Sequence, residues 1–307
     1  GPEAEVLEPP GLREAVREAL QNRDEIFVKN LLNLQKKMDY ADLNIGPARG
    51  DLEGIFSWLC PLVEENSSLK ISLDTTNFEE MKNAFSFIKN KENIFLNSTS
   101  NDMPQLDLMC GLVLEHDCRL VALTMSKETG IPKTSDGRLE IAFDIYEKCM
   151  ENGMASDKIY FDPLVIPLTA DQSQGLEALN TLKMIKESFD PPVKTVIGLS
   201  NISNGAPAEL RPLINRVFAV LAYGAGLDAV IMDAADDELY RILKMLSSKK
   251  AEKDVDNLYL KLSKMFENFE DLESLEFDKN NEEQLKIFKT CEIILNKKIY
   301  SNSFAQV

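Results

Sequence analysis

Neutral and acidic polar residues recur where the apolar runs of this sequence end. In "KTVIGLSNISNG", Lys194 to Gly205, a β-branched run gives way to serine and asparagine before any charged residue appears. Six other runs end at or near a residue of this kind: Asp42, Asp74, Asn97, Thr124, Asp162 and Asp233. With Asn201 at the end of the first run, these are seven positions, and none of them carries a lysine, arginine or histidine.

Carboxylates, amides and hydroxyls without cations suit a neutral heterocycle with N–H donors, and they suit a phosphate poorly. The carboxylates could instead bind Mg²⁺ or Ca²⁺, but the amides and apolar neighbours favour the heterocycle, and we expect no bound metal. Helix capping explains any one such residue, yet five or more in register favour a site. The single histidine, His116, precedes a predicted strand, so we expect it at the opposite end with a structural role.

The elements that position these residues are predicted from the spacing of the apolar runs. Runs at 40–44, 69–74, 93–98, 119–125, 158–164, 194–200 and 226–233 are β-strand-like, and segments with helical apolar spacing connect them. This alternation predicts a parallel (β/α)8 TIM barrel, with a weak or degenerate first strand at 4–9. The carboxyl ends of the strands then meet at one mouth. An open, doubly wound sheet is the alternative.

Two segments depart from this repeat. Residues 244–284 carry helical apolar spacing among many acids, and we interpret them as a helical insertion, either packed outside the barrel or forming an interface. The predicted domains are therefore a tail or degenerate strand at 1–10, a barrel at 11–243 and 285–307, and the insertion. "GAGLDA" at 224–229 follows a helix and opens a strand, so its glycines predict a helix stop and a turn.

Composition narrows the class of partner. The 51 acidic and 34 basic residues give a net charge of −17, which opposes binding to nucleic acid or anionic membranes. No run approaches the roughly 18 apolar residues that span a bilayer. The five cysteines are scattered, which predicts reduced thiols in a cytoplasmic protein and neither disulfides nor a zinc site.

Several motifs in this order resemble the pterin-binding methyltransferases, most closely the methyltetrahydrofolate:corrinoid/iron–sulfur protein methyltransferases. The motifs are "ADLNIGPA" (41–48), "SLDTTN" (72–77), "LNST" (96–99), "LTM" (123–125), "GIPKTSDGR" (130–138), "IYFDPLVIP" (159–167), "TVIGLSNIS" (195–203), "RPLINR" (211–216) and "GLDAVIMDA" (226–234). Two departures are the absence of a "GERIN"-like first strand and the segment at 244–284.

The resemblance implies a barrel whose mouth binds the pterin of 5-methyltetrahydrofolate. Asp74, Asn97 and Asp162 match its pterin-binding positions, and Asn201 matches the asparagine that faces N5. Further substrate-binding candidates are Asp42, Asn44, Thr124, Gly198, Ser200 and Arg211, although a structural role for the arginine is equally open. The resemblance also implies a homodimer and a partner, a corrinoid iron–sulfur protein, that carries the cobalamin.

The chemistry explains why an amide would stand at Asn201. A tertiary amine is a poor leaving group, so N5 must gain a proton before or during attack by Co(I) on the methyl group. An amide donates to neutral N5 and accepts from N5–H⁺, whereas a cation would repel the proton. The proton is expected to come from solvent.

Three rival functions remain open at this point. The reverse transfer, from a methylcorrinoid protein to tetrahydrofolate, uses the same residues. A dihydropteroate synthase would carry a basic Ser-Arg-Lys-type turn where this chain has Ser200 and Asn201. A folate-binding subunit without turnover would bind the pterin and transfer no methyl group.

Overall fold

The computed structural model describes residues 12–46 and 50–305. Within these residues, seven β-strands alternate with helices, as the apolar runs predict. The strands are β1 (Tyr40–Gly46), β2 (Lys70–Thr75), β3 (Phe95–Thr99), β4 (Arg119–Leu123), β5 (Ile159–Asp162), β6 (Lys194–Gly198) and β7 (Ala229–Ile231). The expected first strand at 4–9 lies outside the described residues.

The seven strands are parallel and pair in chain order from β1 to β7. Alternate side chains point inward, and those of Phe95, Val121, Tyr160 and Val196 form one interior cluster. Tyr40 from β1 and Ile231 from β7, the two ends of the strand order, both pack against this cluster. The sheet therefore curls into a nearly closed barrel of the TIM type, which confirms the predicted fold class.

Helices form the outer layer because the alternate strand residues, such as Leu73, Leu96 and Leu120, are apolar and fully buried against them. The helices are α1 (Leu12–Gln21), α2 (Glu25–Gln35), α3 (Phe56–Asn66), α4 (Phe78–Ala84), α5 (Gln105–His116), α6 (Ser135–Glu151), α7 (Ser173–Ser188), α8 (Arg211–Gly224), α9 (Asp237–Ser248), α10 (Asp256–Glu267) and α11 (Glu282–Ile294).

The segment at 244–284 folds as the end of α9, then α10, a 3₁₀ turn and the start of α11. Leu258, Leu262 and Met265 of α10 share one apolar core with α8. The Arg241 side chain of α9 donates to both oxygens of the buried Asp256 carboxylate at the start of α10, at 2.8 and 2.6 Å. This fork fixes α10 to the helical layer of the barrel.

The glycines of "GAGLDA" act as predicted. Gly224 is the last residue of α8, and Gly226 adopts a positive φ of 95° in the turn to β7. A β-carbon on Gly224 would lie 2.3 Å from the backbone oxygen of Ser263 in α10, so only glycine permits this helix contact. The helix stop and turn are confirmed.

Candidate functional site

The strand register brings the polar residues of β1, β2 and β3 together. Asn44 is the register partner of Asp74, which in turn is the partner of Asn97. Asp42 and Ser72 are partners two residues earlier in β1 and β2. Because side chains alternate along a strand, all five point to the same face, into the mouth of the barrel.

Hydrogen bonds link these five side chains into a network of two groups, one around Asp42 and the other around Asp74. Ser72 Oγ and Asn97 Nδ2 donate to Asp42 Oδ1 at 2.5 and 3.3 Å. Asn44 Nδ2 donates to Asp74 Oδ2 at 2.6 Å. The network fixes the orientation of each amide and leaves the remaining donors and acceptors to a ligand.

The two carboxyl groups of this network, those of Asp42 and Asp74, both have pKa values above the usual range of an aspartate. Burial raises the pKa of Asp42, and burial together with the neighbouring Asp42 carboxyl raises the pKa of Asp74 well above its usual range. Both carboxyl groups are therefore easier to protonate than an exposed aspartate, and a carboxyl group that carries a proton offers a ligand an O–H donor.

Asp162 ends β5 on the other side of the mouth and is only 9% exposed. The backbone N–H of Leu164 donates to its Oδ1 at 2.7 Å, and the N–H and hydroxyl of Thr124 donate to its backbone oxygen at 3.0 and 3.2 Å. Burial raises the pKa of Asp162 to about 7, against the lowering effects of the Leu164 N–H and of Arg138. Its carboxyl group is thus poised between the two protonation states at neutral pH.

Asn201 lies in a 3₁₀ turn, Leu199–Ser203, that directly follows β6. A β-carbon on Gly198 would come within 3.4 Å of Asn201 Nδ2, so the glycine leaves space for the amide. The turn contains no lysine or arginine. Ser200 contributes its backbone oxygen, which accepts from Ser203 Oγ at 3.3 Å.

The turn with Asn201 is held by the loop that starts at Asp162. The backbone N–H of Leu168 donates to the oxygen of Ile202 at 3.1 Å, and Thr169 Oγ1 donates to the oxygen of Asn204 at 2.7 Å. These two bonds join the segments that carry the predicted pterin-binding carboxylate and the predicted catalytic amide.

Arg211 makes a backbone contact. Its Nε donates to the oxygen of Ala206 at 2.8 Å, in the loop between the 3₁₀ turn and α8. This contact shapes the loop, and a role of Arg211 in substrate binding stays a prediction.

His116 lies where the sequence places it. It ends α5, just before β4 begins, so it lies at the amino end of the strands, and its ring stacks on Phe85 at a centroid distance of 3.9 Å. It belongs to the outer packing and not to the mouth.

Three contributors to the mouth are absent from the sequence predictions. They are the Ser72 hydroxyl, the Leu164 N–H and the Arg138 guanidinium, which acts on the pKa of Asp162. Ser72 could have been found from its i−2 spacing to Asp74. The other two depend on how the loops after β4 and β5 fold, which no spacing reveals.

The described residues contain no group of three or more His, Cys, Asp or Glu side chains that could hold a metal ion. All five cysteines are buried free thiols. Among the described helices, none has the length and apolar character that a membrane crossing requires.

Residues 42–233 match the pterin binding enzyme family, and this range contains every candidate residue named above. The match covers more than half of the chain, so the chain belongs to that family. The resemblance inferred from the motifs is confirmed.

Among curated relatives, the chain is similar to a methylcorrinoid:tetrahydrofolate methyltransferase of Eubacterium limosum. The two are 27% identical over 229 residues, which are 73% of this chain and 82% of that protein. A methionine synthase of Mycobacterium tuberculosis is 33% identical over 129 residues, 40% of this chain and 11% of that much longer protein.

Two solved dihydropteroate synthases share the fold. The Coxiella burnetii enzyme, in complex with pteroic acid, has a TM-score of 0.54 at 18% identity and covers 80% of this chain and 89% of its own. The Yersinia pestis enzyme has a TM-score of 0.51 at 14% identity, with 73% and 85% covered. These likenesses bear on the fold alone.

Proposed function

We propose that this protein catalyses methyl transfer between N5 of tetrahydrofolate and the cobalt of a corrinoid protein. The observation that carries the proposal is the polar set at the barrel mouth: the network of β1 to β3, the buried Asp162 carboxyl and the neutral turn with Asn201. The family match is the reason for choosing a pterin as the ligand.

The carboxyl groups bind the pterin. Asp162 accepts from the ring N–H and the 2-amino group, because a carboxylate takes two parallel N–H donors. Asp42 and Asp74 offer two buried carboxyl groups with raised pKa values, and Asn97 adds an amide that can both donate and accept. These groups form hydrogen bonds to the remaining polar atoms of the heterocycle.

Asn201 acts at the reacting nitrogen. As the methyl leaves N5 for Co(I), the N5–CH3 bond breaks, the Co–CH3 bond forms, and N5 keeps its bonding electrons together with one proton. The Asn201 oxygen accepts the hydrogen bond from N5–H⁺, and its NH2 donates to N5 when that nitrogen is neutral. A basic side chain here would disfavour protonated N5, and the turn contains none.

The transfer runs in either direction through the same transition state. We expect the direction from 5-methyltetrahydrofolate to Co(I), giving methyl-Co(III) and tetrahydrofolate. The name of the Eubacterium limosum relative favours the opposite direction, in which N5 attacks the methyl of methyl-Co(III) and loses its proton. The corrinoid partner, its iron–sulfur cluster and a homodimer remain predictions.

The test is equilibrium binding of 5-methyltetrahydrofolate, followed by anaerobic transfer assays with cob(I)alamin and, for the reverse direction, with methylcobalamin and tetrahydrofolate. We expect saturable binding that Asp162→Asn weakens, and transfer that Asn201→Ala slows while binding persists. Asp117→Asn is the matched control, because Asp117 is 88% exposed after α5 at the far end of the barrel.

Two outcomes would contradict the proposal. If the folded protein does not bind the ligand at millimolar concentration, the mouth is not a pterin site. Binding without transfer in either direction would identify a folate-binding subunit without turnover.

A further inference from the structure

Two cysteines on adjacent helices lie side by side. Cys110 of α5 and Cys149 of α6 are both buried, and their Sγ atoms are 3.7 Å apart, a hydrogen-bond distance for sulfur. Within the described part of the chain, no other cysteine has a second thiol at this distance. The proposed methyl transfer uses neither residue.

Polar contacts one turn away fix how α5 and α6 face each other. Asp107 lies three residues before Cys110 on α5. Its Oδ1 accepts a hydrogen bond from Asn152 Nδ2 at 3.1 Å and forms an ion pair with Lys148 Nζ at 3.2 Å. Lys148 and Asn152 lie directly before and three residues after Cys149. These contacts hold the register of the two helices and keep the thiols opposite each other.

The two thiols differ in acidity. The hydrogen bond between them lowers the pKa of Cys110 and raises the pKa of Cys149, whereas burial acts against the lowering at Cys110. The thiolate is the reactive form of cysteine. Cys110 is therefore the thiol that reacts first, and Cys149 is the second thiol beside it.

A small oxidant has a short path to this pair. Gly111 directly follows Cys110 in α5 and is exposed, and a β-carbon built on it would have no atom within 4 Å. The outer surface next to Cys110 therefore carries no side chain. A molecule the size of hydrogen peroxide needs only a small opening between α5 and α6 to reach the sulfur.

We propose that Cys110 and Cys149 form a redox site, which a peroxide converts into an intramolecular disulfide that joins α5 to α6. The inference is independent of the proposed function. Disulfides of this kind in reducing compartments are typically transient and redox-sensing. A disulfide here would cross-link the helices that follow β3 and β4.

The reaction balances with hydrogen peroxide as the oxidant. The Cys110 thiolate attacks one peroxide oxygen, the O–O bond breaks, and the released hydroxide takes up the thiol proton to form water. The Cys149 sulfur then attacks the sulfur of the Cys110 sulfenic acid. The S–S bond forms, the S–O bond breaks, and the second water carries away the Cys149 proton. Two thiols thus give two electrons to one peroxide, and a thiol reductant reverses the change.

The movement that this step requires is small. A disulfide bond places its sulfur atoms about 2.05 Å apart, so the two Sγ atoms must approach by about 1.7 Å. Rotation of the two side chains supplies such a displacement without moving the helices past each other. The bond would close a loop between residues 39 positions apart, which stabilises the folded state by restricting the unfolded chain.

The test exposes the reduced, folded protein to millimolar hydrogen peroxide, followed by alkylation in guanidinium and tryptic mass spectrometry. We expect the five free thiols to fall to three, and a disulfide-linked pair of peptides that contain Cys110 and Cys149. The melting temperature of the oxidised protein should rise by about 5 °C. Dithiothreitol should reverse both changes.

Cys118→Ser is the matched control. Cys118 is also a buried free thiol and lies eight residues after Cys110, on the same tryptic peptide. Its removal should leave the cross-link and the rise in melting temperature intact. Cys110→Ser should abolish both, and Cys149→Ala removes the other partner, so that a single variant that does not fold cannot decide the result.

Three outcomes would overturn the inference. The folded wild type could keep all five thiols in peroxide, it could form a disulfide that contains a different cysteine, or the link between Cys110 and Cys149 could form only in the guanidinium-unfolded chain. The methyl-transfer assays do not enter this experiment. Failure of the proposed function would therefore leave this result valid, and the reverse also holds.

Discussion

The affinity of the wild-type protein for 5-methyltetrahydrofolate should depend on pH through Asp162. Its pKa is raised to about 7 by burial in the absence of ligand. Only the ionised carboxyl accepts from both the ring N–H and the 2-amino group, so ligand binding competes with protonation. Affinity is therefore fully present above pH 7 and is lost as the pH falls through that value.

The magnitude follows from the ionised fraction. With a pKa of about 7, roughly a tenth of Asp162 is ionised at pH 6 and roughly a hundredth at pH 5. Each pH unit below 7 should therefore weaken binding about tenfold, or about 1.4 kcal/mol. In Asp162→Asn the amide does not titrate, so binding should be weaker at pH 8 and should lack this pH dependence.

The assay is equilibrium titration monitored by fluorescence or calorimetry between pH 5 and pH 8.5. The folate has ionisable groups of its own, so the informative quantity is the ratio of the dissociation constants of variant and wild type at each pH. This ratio should fall from its plateau above pH 7 towards one in acid. A ratio that stays constant across the range would refute the assignment of Asp162 as a titrating ligand.

Three further predictions concern how the site and the helical layer are held. Asp256→Asn should lower the free energy of unfolding by about 3 kcal/mol, because Arg241 would lose a buried anion. Urea denaturation measures this change, and a loss below about 1 kcal/mol would contradict the role of the hydrogen bonds between Arg241 and Asp256. Thr169→Val removes the hydroxyl that donates to the Asn204 oxygen, so kcat should fall with little change in KM. Thr169→Ser keeps a hydroxyl and should restore kcat. An equal fall in kcat in both variants would indicate an effect of packing instead. Gly224→Ala should destabilise by about 2 kcal/mol or more, because the new methyl group meets the backbone of α10; an unchanged melting temperature would show that α10 moves aside freely.

Much of the mouth could be predicted from sequence because strands repeat with a period of two. Asp42 and Asn44 lie two residues apart in β1, and Asn97 ends another short apolar run. Because side chains alternate along a strand, these three are placed on the inner face. Because helical segments connect parallel strands, the carboxyl ends of all strands meet at one mouth, whatever the conformation of the loops. The order of the strands follows from the parallel crossovers.

The sequence alone determined the barrel, its strand order and the set of neutral and acidic residues at its mouth, because these depend on local periodicity and on the spacing of βα units. Only the tertiary structure decided the pKa values of these carboxyl groups. The raised pKa values of Asp42, Asp74 and Asp162 arise from burial and from neighbours that are distant in sequence. Electrostatic interactions depend on distance and on exclusion of water, and the residue pattern fixes neither.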